Sequence, residues 1–167
     1  MLAPDALDSV PPGIVTRVFS SLSPNGRSVA ADQIAKLERK VFPSNESFDY
    51  DIELKKKNVG VLLAYKEGTQ DRVVAYLVYQ RMKRLVWLHK LCVIEQERQK
   101  GIGKCFIHAL QGQVEKSGGE SIHLWVDEHR KPARRLYDAC GFTQIEVRHD
   151  YYAPGRAGLK MELRIGT

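Results

Sequence analysis

An apolar stretch that runs into a basic, glycine-bearing turn decides the fold: Leu85–Val93, LVWLHKLCV, followed by residues 97–104, ERQKGIGK. The first segment has the composition of a buried strand, and residues 102–117 after the turn have the apolar spacing of an amphipathic helix. A helix N-terminus exposes unpaired N–H groups and carries partial positive charge, and glycine lets the backbone approach a ligand closely. The strand–turn–helix unit therefore predicts an anion-binding loop.

Two widespread phosphate loops do not fit this turn. A P-loop reads G-x-x-x-x-G-K-[S/T], but here the lysine is followed by Cys105, and Arg98 occupies the position of the first glycine. A dinucleotide-binding loop reads G-x-G-x-x-G, but its third glycine position is held by Phe106. The pattern that remains is Arg98-x-x-Gly101-x-Gly103.

This pattern resembles the [Q/R]-x-x-G-x-[G/A] pyrophosphate loop of the GNAT superfamily of acyl-CoA-dependent N-acyltransferases. Residues 126–142, VDEHRKPARRLYDACGF, are similar to a second family block, V-x-x-x-N-x-x-A-x-x-L-Y-x-x-x-G-F. Arg130 occupies the family's Asn position. The resemblance covers residues 14–165. The positions in register with the family are Ala133, Leu136, Tyr137, Gly141 and Phe142.

The resemblance implies an α/β fold with a mixed, mostly antiparallel sheet of six to seven strands, split to form a cofactor cleft and flanked by about four helices. We expect residues 14–167 to form one acyl-CoA N-acyltransferase domain behind a loose tail, residues 1–13. The hydrophobic pattern gives the order β-α-β-β-β-α-β-α-β-β, with residues 23–26, SPNG, as a break before the first helix. Strands are predicted at 14–22, 59–65, 73–79, 85–93, 122–126, 142–152 and 158–165, and helices at 31–42, within 47–58, at 102–117 and at 132–140.

Composition narrows the classes of function. The chain has 167 residues, a formal net charge of +6 and three cysteines without C-x-x-C spacing. This cysteine usage favours reduced thiols in a cytoplasmic, or possible nuclear, setting and no metal site. The sequence shows no secretory signal and no apolar run long enough to span a membrane, so we expect no membrane contact. No nucleic-acid module is recognisable, so we expect no nucleic-acid partner, and a monomer or homodimer fits the size.

The resemblance implies acetyl-CoA as the co-substrate, with no metal. In this fold the strand before the loop pairs with the pantetheine arm, and the next strand splays away to leave room for it. The expected partners of the arm are the main-chain groups of Leu91, Cys92 and Val93, and Arg130 is expected to meet a CoA phosphate. The loop residues expected to hold the pyrophosphate are Arg98, Gln99, Lys100, Gly101, Ile102, Gly103 and Lys104.

In amine acylation from a thioester, the departing thiolate benefits from an acid near the sulfur. Tyr137 resembles the tyrosine that fills this role in many family members, and a phenol with an ordinary pKa of about 10 donates a proton without being ionised at neutral pH. The alternative is that Tyr137 simply packs in the core, because it lies on the apolar face of its predicted helix.

The ammonium form of the acceptor must also lose a proton, either to a base or along a route to water. His89 is the candidate base, because its ordinary pKa of about 6.5 suits proton transfer at neutral pH. The strand pattern predicts that it shares a face with Trp87 and Leu91, and its surroundings resemble the corresponding strand of arylalkylamine N-acetyltransferases. The alternative is a structural histidine. Glu46 and Glu128 are reserve carboxylates, and His123 and His129 are weaker candidates.

The C-terminal segment bears on the identity of the acceptor amine. Residues 150–161, DYYAPGRAGLKM, resemble the end of protein N-terminal acetyltransferases, in which a tyrosine pair lines the peptide groove. The predicted substrate-binding residues are Phe42, Glu46, Tyr151 and Tyr152. We rank a peptide or protein amine first, an arylalkylamine second and a polyamine third. A catalytically silent acyl-CoA-binding module and a basic interaction domain remain as alternatives.

Overall fold

A seven-stranded sheet forms the body of the protein, seen in a computed structural model that describes residues 10–42, 49–68 and 72–166. The helices are α1 Pro24–Val41, α2 Tyr50–Glu53, α3 Ile102–Lys116 and α4 Lys131–Ala139. The strands are β1 Ile14–Val18, β2 Val59–Lys66, β3 Val73–Met82, β4 Leu85–Val93, β5 Ser121–Asp127, β6 Thr143–Ala153 and β7 Arg156–Arg164.

The strand order in the sheet is β1-β2-β3-β4-β5-β7-β6. Neighbouring strands are antiparallel except for β4 and β5, which run parallel and are joined through α3. The predicted α/β architecture of six to seven mostly antiparallel strands and about four helices is confirmed. Within the described ranges, no helix has the length and apolar content needed to cross a bilayer.

The first helix begins earlier than predicted. Residues 23–26 were expected to break the chain, but Ser23 is the N-cap of α1, and its Oγ accepts a hydrogen bond of 3.1 Å from the Gly26 N–H. Pro24 fills the first helical position, where no N–H is needed. The same residue types that signal a turn also start helices, and here the second role applies.

The first strand is shorter than predicted. It ends at Val18, because Phe19–Ser21 forms a 3₁₀ turn. The Leu22 N–H donates to the Phe19 carbonyl at 3.1 Å, and the Ser21 hydroxyl donates to the Val18 carbonyl at 2.6 Å. The short helix predicted within 47–58 is α2, and residues 47 and 48 of that prediction lie outside the described residues.

Two cores lie on opposite faces of the sheet. One contains the apolar faces of α3 and α4, packed on Leu88 of β4 and on alternate residues of β5 that include Leu124. The other contains Ile34 of α1, packed on Tyr76 and Val78 of β3. The predicted stripe of α3 is confirmed, since its four members are all buried: Ile102, Phe106, Leu110 and Val114.

We expect Phe106→Ala to lower the free energy of unfolding by about 3–5 kcal/mol, because it leaves a cavity under a fully buried ring. Val29→Ala is the matched control. Val29 is an exposed apolar residue of α1, and its loss should change stability by less than about 1 kcal/mol. Urea denaturation followed by circular dichroism measures both, and equal midpoints for the two variants would contradict the assignment of Phe106 to the core.

Candidate active site

A cleft opens where β4 and β5 separate. The two strands pair only at their beginnings, and the register ends at Trp87↔His123. Beyond that point β4 continues to Val93 alongside β3, whereas β5 continues to Asp127 alongside β7. The predicted splay is therefore present, and one edge of β4 from residue 88 onward lies outside the ladder with β5. An extended ligand with amide groups can add to such an edge as another strand would.

A bulge in β4 sets which side chains face which side of this cleft. Leu88 pairs with Tyr79 and Lys90 pairs with Val78, so His89 is an extra residue on β4. Leu88 and Leu91 consequently both pack on the core with α3, whereas Cys92 lies in the core with α1. The prediction that His89 shares a face with Leu91 is wrong, because simple alternation does not continue through a bulge.

The loop after β4 has the geometry of an anion cradle. A 3₁₀ turn at Glu95–Glu97 leads into two residues of positive φ, Gln99 at 62° and Gly101 at 88°, and α3 begins at the next residue. No side chain caps this helix, so its first N–H groups point into the loop. The Arg98 Nε donates to the Val93 carbonyl at 2.9 Å, which holds the loop against the end of β4.

Two of the predicted loop residues have their side-chain positions inside the core. Ile102 is buried, and a Cβ on Gly103 would lie 2.9 Å from Leu136 Cδ2 of α4. Gly103 therefore allows α3 and α4 to approach each other. Any contact of these two residues with an anion has to come from the main chain. The exposed loop side chains are those of Arg98, Gln99, Lys100 and Lys104.

A buried carboxylate that the sequence reasoning missed fixes the loop. Glu97 accepts from Lys100 Nζ at 2.9 Å and lies 3.2 Å from Lys66 Nζ at the end of β2. The hydrogen bond from Lys100 has the largest effect and that from Lys66 the next, and together they hold the pKa of Glu97 below its usual range. Lys100 thus contributes to the shape of the loop as well as to its charge. The spacing of three residues between Glu97 and Lys100 is the signal that could have revealed the pair.

Tyr137 lies in the α3–α4 core beside the cleft. Its ring contacts Phe142 edge-on, with centroids 5.6 Å apart. Burial raises the pKa of its hydroxyl above the ordinary value, an effect that the nearby Arg130 guanidinium partly opposes. The phenol is therefore protonated at every physiological pH, which makes it a donor and excludes it as a base.

His89 lies on the other face of the sheet. Its Nε2 is 2.8 Å from Gln80 Oε1 on β3. Neighbouring groups partly exclude water from the imidazole, which lowers its pKa, and Glu53 opposes this change. The ring is accordingly mainly neutral at pH 7 and able to accept a proton.

Phe42, at the end of α1, is flanked by two cations. Lys90 Nζ lies 4.1 Å and Arg130 Cζ lies 4.2 Å from its ring centroid. Arg130 comes from the residue before α4, so this contact joins the β5 side of the cleft to the α1 side. Arg130 also opposes the burial that raises the pKa of the Cys92 thiol. The residue that stands at the family's Asn position therefore lies across the mouth of the cleft.

Aromatic rings line the face of β5 and of the β6–β7 hairpin that points away from α3 and α4. Trp125 stacks on Tyr151 with centroids 4.6 Å apart, and Tyr151 meets Tyr152 edge-on at 4.9 Å. We name Trp125, Tyr151 and Tyr152 the aromatic wall. Trp125 comes two residues after the last β4–β5 pair, so the wall borders the cleft. The sequence reasoning missed Trp125, although a tryptophan at the outward position of an apolar strand is a signal.

A polar cluster is buried under the end of α1. The Tyr50 hydroxyl donates to Glu38 Oε1 at 2.5 Å, and the Tyr76 and Cys92 side chains lie beside them. All four side chains are buried. This bond joins Glu38 of α1 to Tyr50 of α2, and so ties together the two helices that flank the segment between them. Glu46, the predicted substrate contact within that segment, lies outside the described residues.

The remaining candidates have other partners. His123, at the last β4–β5 pair, has its Nε2 2.8 Å from Glu162 on β7. The reserve carboxylate Glu128 and the weaker candidate His129 lie in the turn before α4. Within residues 10–42, 49–68 and 72–166, no group of three or more His, Cys, Asp or Glu side chains is placed to hold a metal ion.

The sequence of residues 31–142 matches the acetyltransferase (GNAT) family. This chain belongs to that family. An N-alpha-acetyltransferase of Sulfurisphaera tokodaii is 30% identical over 145 residues, which cover 78% of this chain and 85% of the relative. A ribosomal protein bS18-alanine N-acetyltransferase of Haemophilus ducreyi is 32% identical over 90 residues, which cover 54% of this chain and 62% of the relative.

Solved structures share the fold. Arabidopsis thaliana NAA60, in complex with a bisubstrate analogue, superposes with a TM-score of 0.76 at 17% identity, covering 92% of this chain and 98% of NAA60. The ribosomal-protein-S18-alanine N-acetyltransferase of Escherichia coli gives a TM-score of 0.73 at 20% identity, covering 92% and 96%. The chain is thus an N-acetyltransferase with acetyl-CoA as its co-substrate, and the open β4 edge and the uncapped, basic α3 N-terminus fit that co-substrate.

We expect Lys104→Glu to weaken CoA binding at least about tenfold, because a negative charge in the first turn of α3 repels the CoA phosphates. The same charge interacts favourably with the helix N-terminus, so stability should not fall. Lys36→Glu, an equal charge change on an exposed position of α1, is the control. Calorimetric titration with CoA and thermal unfolding measure the two effects. Unchanged CoA affinity in folded Lys104→Glu would exclude Lys104 from the phosphate site.

Proposed function

We propose that this enzyme acetylates the amine of a peptide or protein, an α-amine before other amines, by direct attack within a ternary complex. The observation that carries the proposal is the aromatic wall, which borders the cleft on the face opposite the anion loop. The similarity over most of the chain to an N-alpha-acetyltransferase supports it.

In this proposal one face of the sheet binds acetyl-CoA and the other binds the acceptor amine. The α3 N-terminus and Tyr137 lie on one face, whereas Phe42, Lys90 and the aromatic wall lie on the other. Acetyl-CoA entering from the first face and an amine from the second meet in the cleft between β4 and β5. Direct attack needs this geometry, because nucleophile and thioester must be held together while neither blocks the other's entry.

Main-chain groups of Leu91, Cys92 and Val93 along the β4 edge would orient the pantetheine arm. The loop from Arg98 to Lys104 would hold the pyrophosphate, with Gln99 and Gly101 turning their N–H groups inward. These are positioning roles.

Two proton transfers complete the reaction. The amine nitrogen forms a bond to the acetyl carbonyl carbon while the carbon–sulfur bond breaks. Tyr137 donates to the departing sulfur, which suits a phenol kept protonated by burial. His89, on the acceptor side and mainly neutral at pH 7, takes up the proton that the amine loses, directly or through water.

The charges on the acceptor side favour a peptide over a polyamine. A site for a multiply charged cation should concentrate carboxylates, but Lys90 and Arg130 flank Phe42 at this face. The flat faces of Tyr151 and Tyr152 suit a peptide backbone or an aromatic amine. The peptide is favoured because an N-alpha-acetyltransferase is among the relatives.

We expect Tyr137→Phe to lower kcat by roughly a hundred- to ten-thousand-fold, the typical range of one acid–base contribution. The ring and its packing on Phe142 stay, so the affinity for acetyl-CoA should change little. Phe142→Leu is the control for packing alone. Single-turnover measurements with a fixed acceptor separate the chemical step from binding. Wild-type kcat in Tyr137→Phe would leave Tyr137 with a packing role only.

Acceptor choice is tested by competition under limiting acetyl-CoA. A short Met-initiated peptide, the same peptide with a blocked N-terminus and an internal lysine, tryptamine and spermidine are supplied at equal concentration. We expect the free α-amine of the first peptide to be acetylated preferentially, as mass spectrometry would show. A preference for tryptamine or spermidine would overturn the proposal, and binding of acetyl-CoA without any transfer would indicate a silent binding module.

A further inference from the structure

A second groove lies at the end of the sheet remote from the anion loop. It has a volume of about 560 Å³ and is formed where β1 ends, β2 begins and β3 ends. Arg81 of β3 pairs with Val86 of β4, which precedes Val93 at the loop by seven residues. Because His89 is the extra residue of the bulge, six regular steps of roughly 3.3 Å place the groove roughly 20 Å from the anion loop. A CoA molecule held by the loop therefore does not account for it.

The charged side chains described in the lining of this groove are all cations. Its lining includes Arg27, Lys57 and Arg81, and among the described side chains no carboxylate lines it. None of these cations forms an ion pair with a described Asp or Glu. The neighbouring groove between α1 and β2 differs, because Glu67 lines it together with Arg17.

Main-chain contacts fix the cationic rim. Arg27 Nη1 donates to the Leu22 carbonyl at 2.8 Å, which holds the half-buried guanidinium beside the groove. The Arg81 N–H donates to the Asn58 carbonyl at 2.8 Å, and the Asn58 side-chain amide donates to the Arg81 carbonyl at 3.0 Å. These bonds tie the Lys57–Asn58 turn to the end of β3, so two of the three cations are kept on one rim.

Tyr79 and Gln113 form the floor of the groove. The Tyr79 ring lies over Gly60, where a Cβ would approach the ring to 2.3 Å, so only glycine leaves room for it. Gln113 Nε2 of α3 donates to the Tyr79 hydroxyl at 3.0 Å, and Arg81 Cζ lies 5.9 Å from the ring centroid. The floor beneath the cations is therefore closed by a largely buried tyrosine whose hydroxyl is already paired with Gln113.

We infer that this groove binds a small, soluble ligand that carries two or more phosphates. Three cations without a carboxylate select a multiply charged anion, and guanidinium groups match phosphate geometry. The volume lies within the range of about 300–1,000 Å³ found for small-molecule pockets. The formal charge of +6 leaves a surplus beyond the basic loop, and part of that surplus is concentrated here.

Tripolyphosphate is the probe, titrated calorimetrically into the full chain saturated with CoA, so that the anion loop is already filled. We expect binding to persist under CoA and its Kd to rise at least about tenfold in the double variant Lys57→Gln/Arg81→Gln. Lys36→Gln/Arg39→Gln removes the same charges from exposed positions of α1 and should leave the Kd unchanged. Arg81→Gln alone gives a second measurement if the double variant melts below the wild type.

Three outcomes would overturn the inference. The first is no tripolyphosphate binding, and the second is binding that CoA abolishes. The third is a Kd that both double variants change equally, which would indicate diffuse surface charge. A separate titration uses a short uridine oligonucleotide in place of tripolyphosphate. Binding of the oligonucleotide without binding of tripolyphosphate would also contradict a small ligand and would favour nucleic acid instead.

Discussion

The separation of β4 from β5 is the constraint on which the remaining structure depends. The two strands pair at three positions and then follow different neighbours. An unpaired strand edge inside a domain is costly, because its N–H and C=O groups need partners. Here the edge is left for a ligand, and the elements around it keep it open. α3 and α4 cover one face, α1 covers part of the other, and Arg130 lies across the mouth.

The elements that the sequence predicted are those set by local pattern. β4, α3 and α4 have apolar periodicity and end at residues that stop them, and the Arg98-x-x-Gly101-x-Gly103 turn lies where the pattern placed it. Features that depend on tertiary contacts were missed. The bulge at His89 arises from the pairing of β4 with β3, which one strand's alternation does not reveal. Gly103 resembled a phosphate-loop glycine, but its missing side chain also makes room for Leu136.

The sequence likewise predicted only some of the residues of the candidate site. Tyr151 and Tyr152 lie in the aromatic wall, but Trp125, the stacking partner of Tyr151, was not predicted because it is distant in sequence. Glu97 was read only as part of a basic turn, although its burial shapes that turn. Cations on this protein lie repeatedly against aromatic rings, as Arg148 does on Trp125 and Lys160 on Trp87. Such pairs form between strands that only the folded sheet brings together.

The bulge at His89 makes β4 tolerant of losing one residue at this point. Deleting a single residue at position 89 or 90 would remove the residue that the pairing with β3 leaves over. Regular alternation would then be restored, and Leu91 and Cys92 would keep their present partners and faces. The same deletion within residues 75–78 of β3, which pair regularly, would turn the following side chains over, as a one-residue slip does in any strand. Over evolutionary time, a one-residue deletion should therefore be tolerated more readily at this bulge than in the regular part of β3.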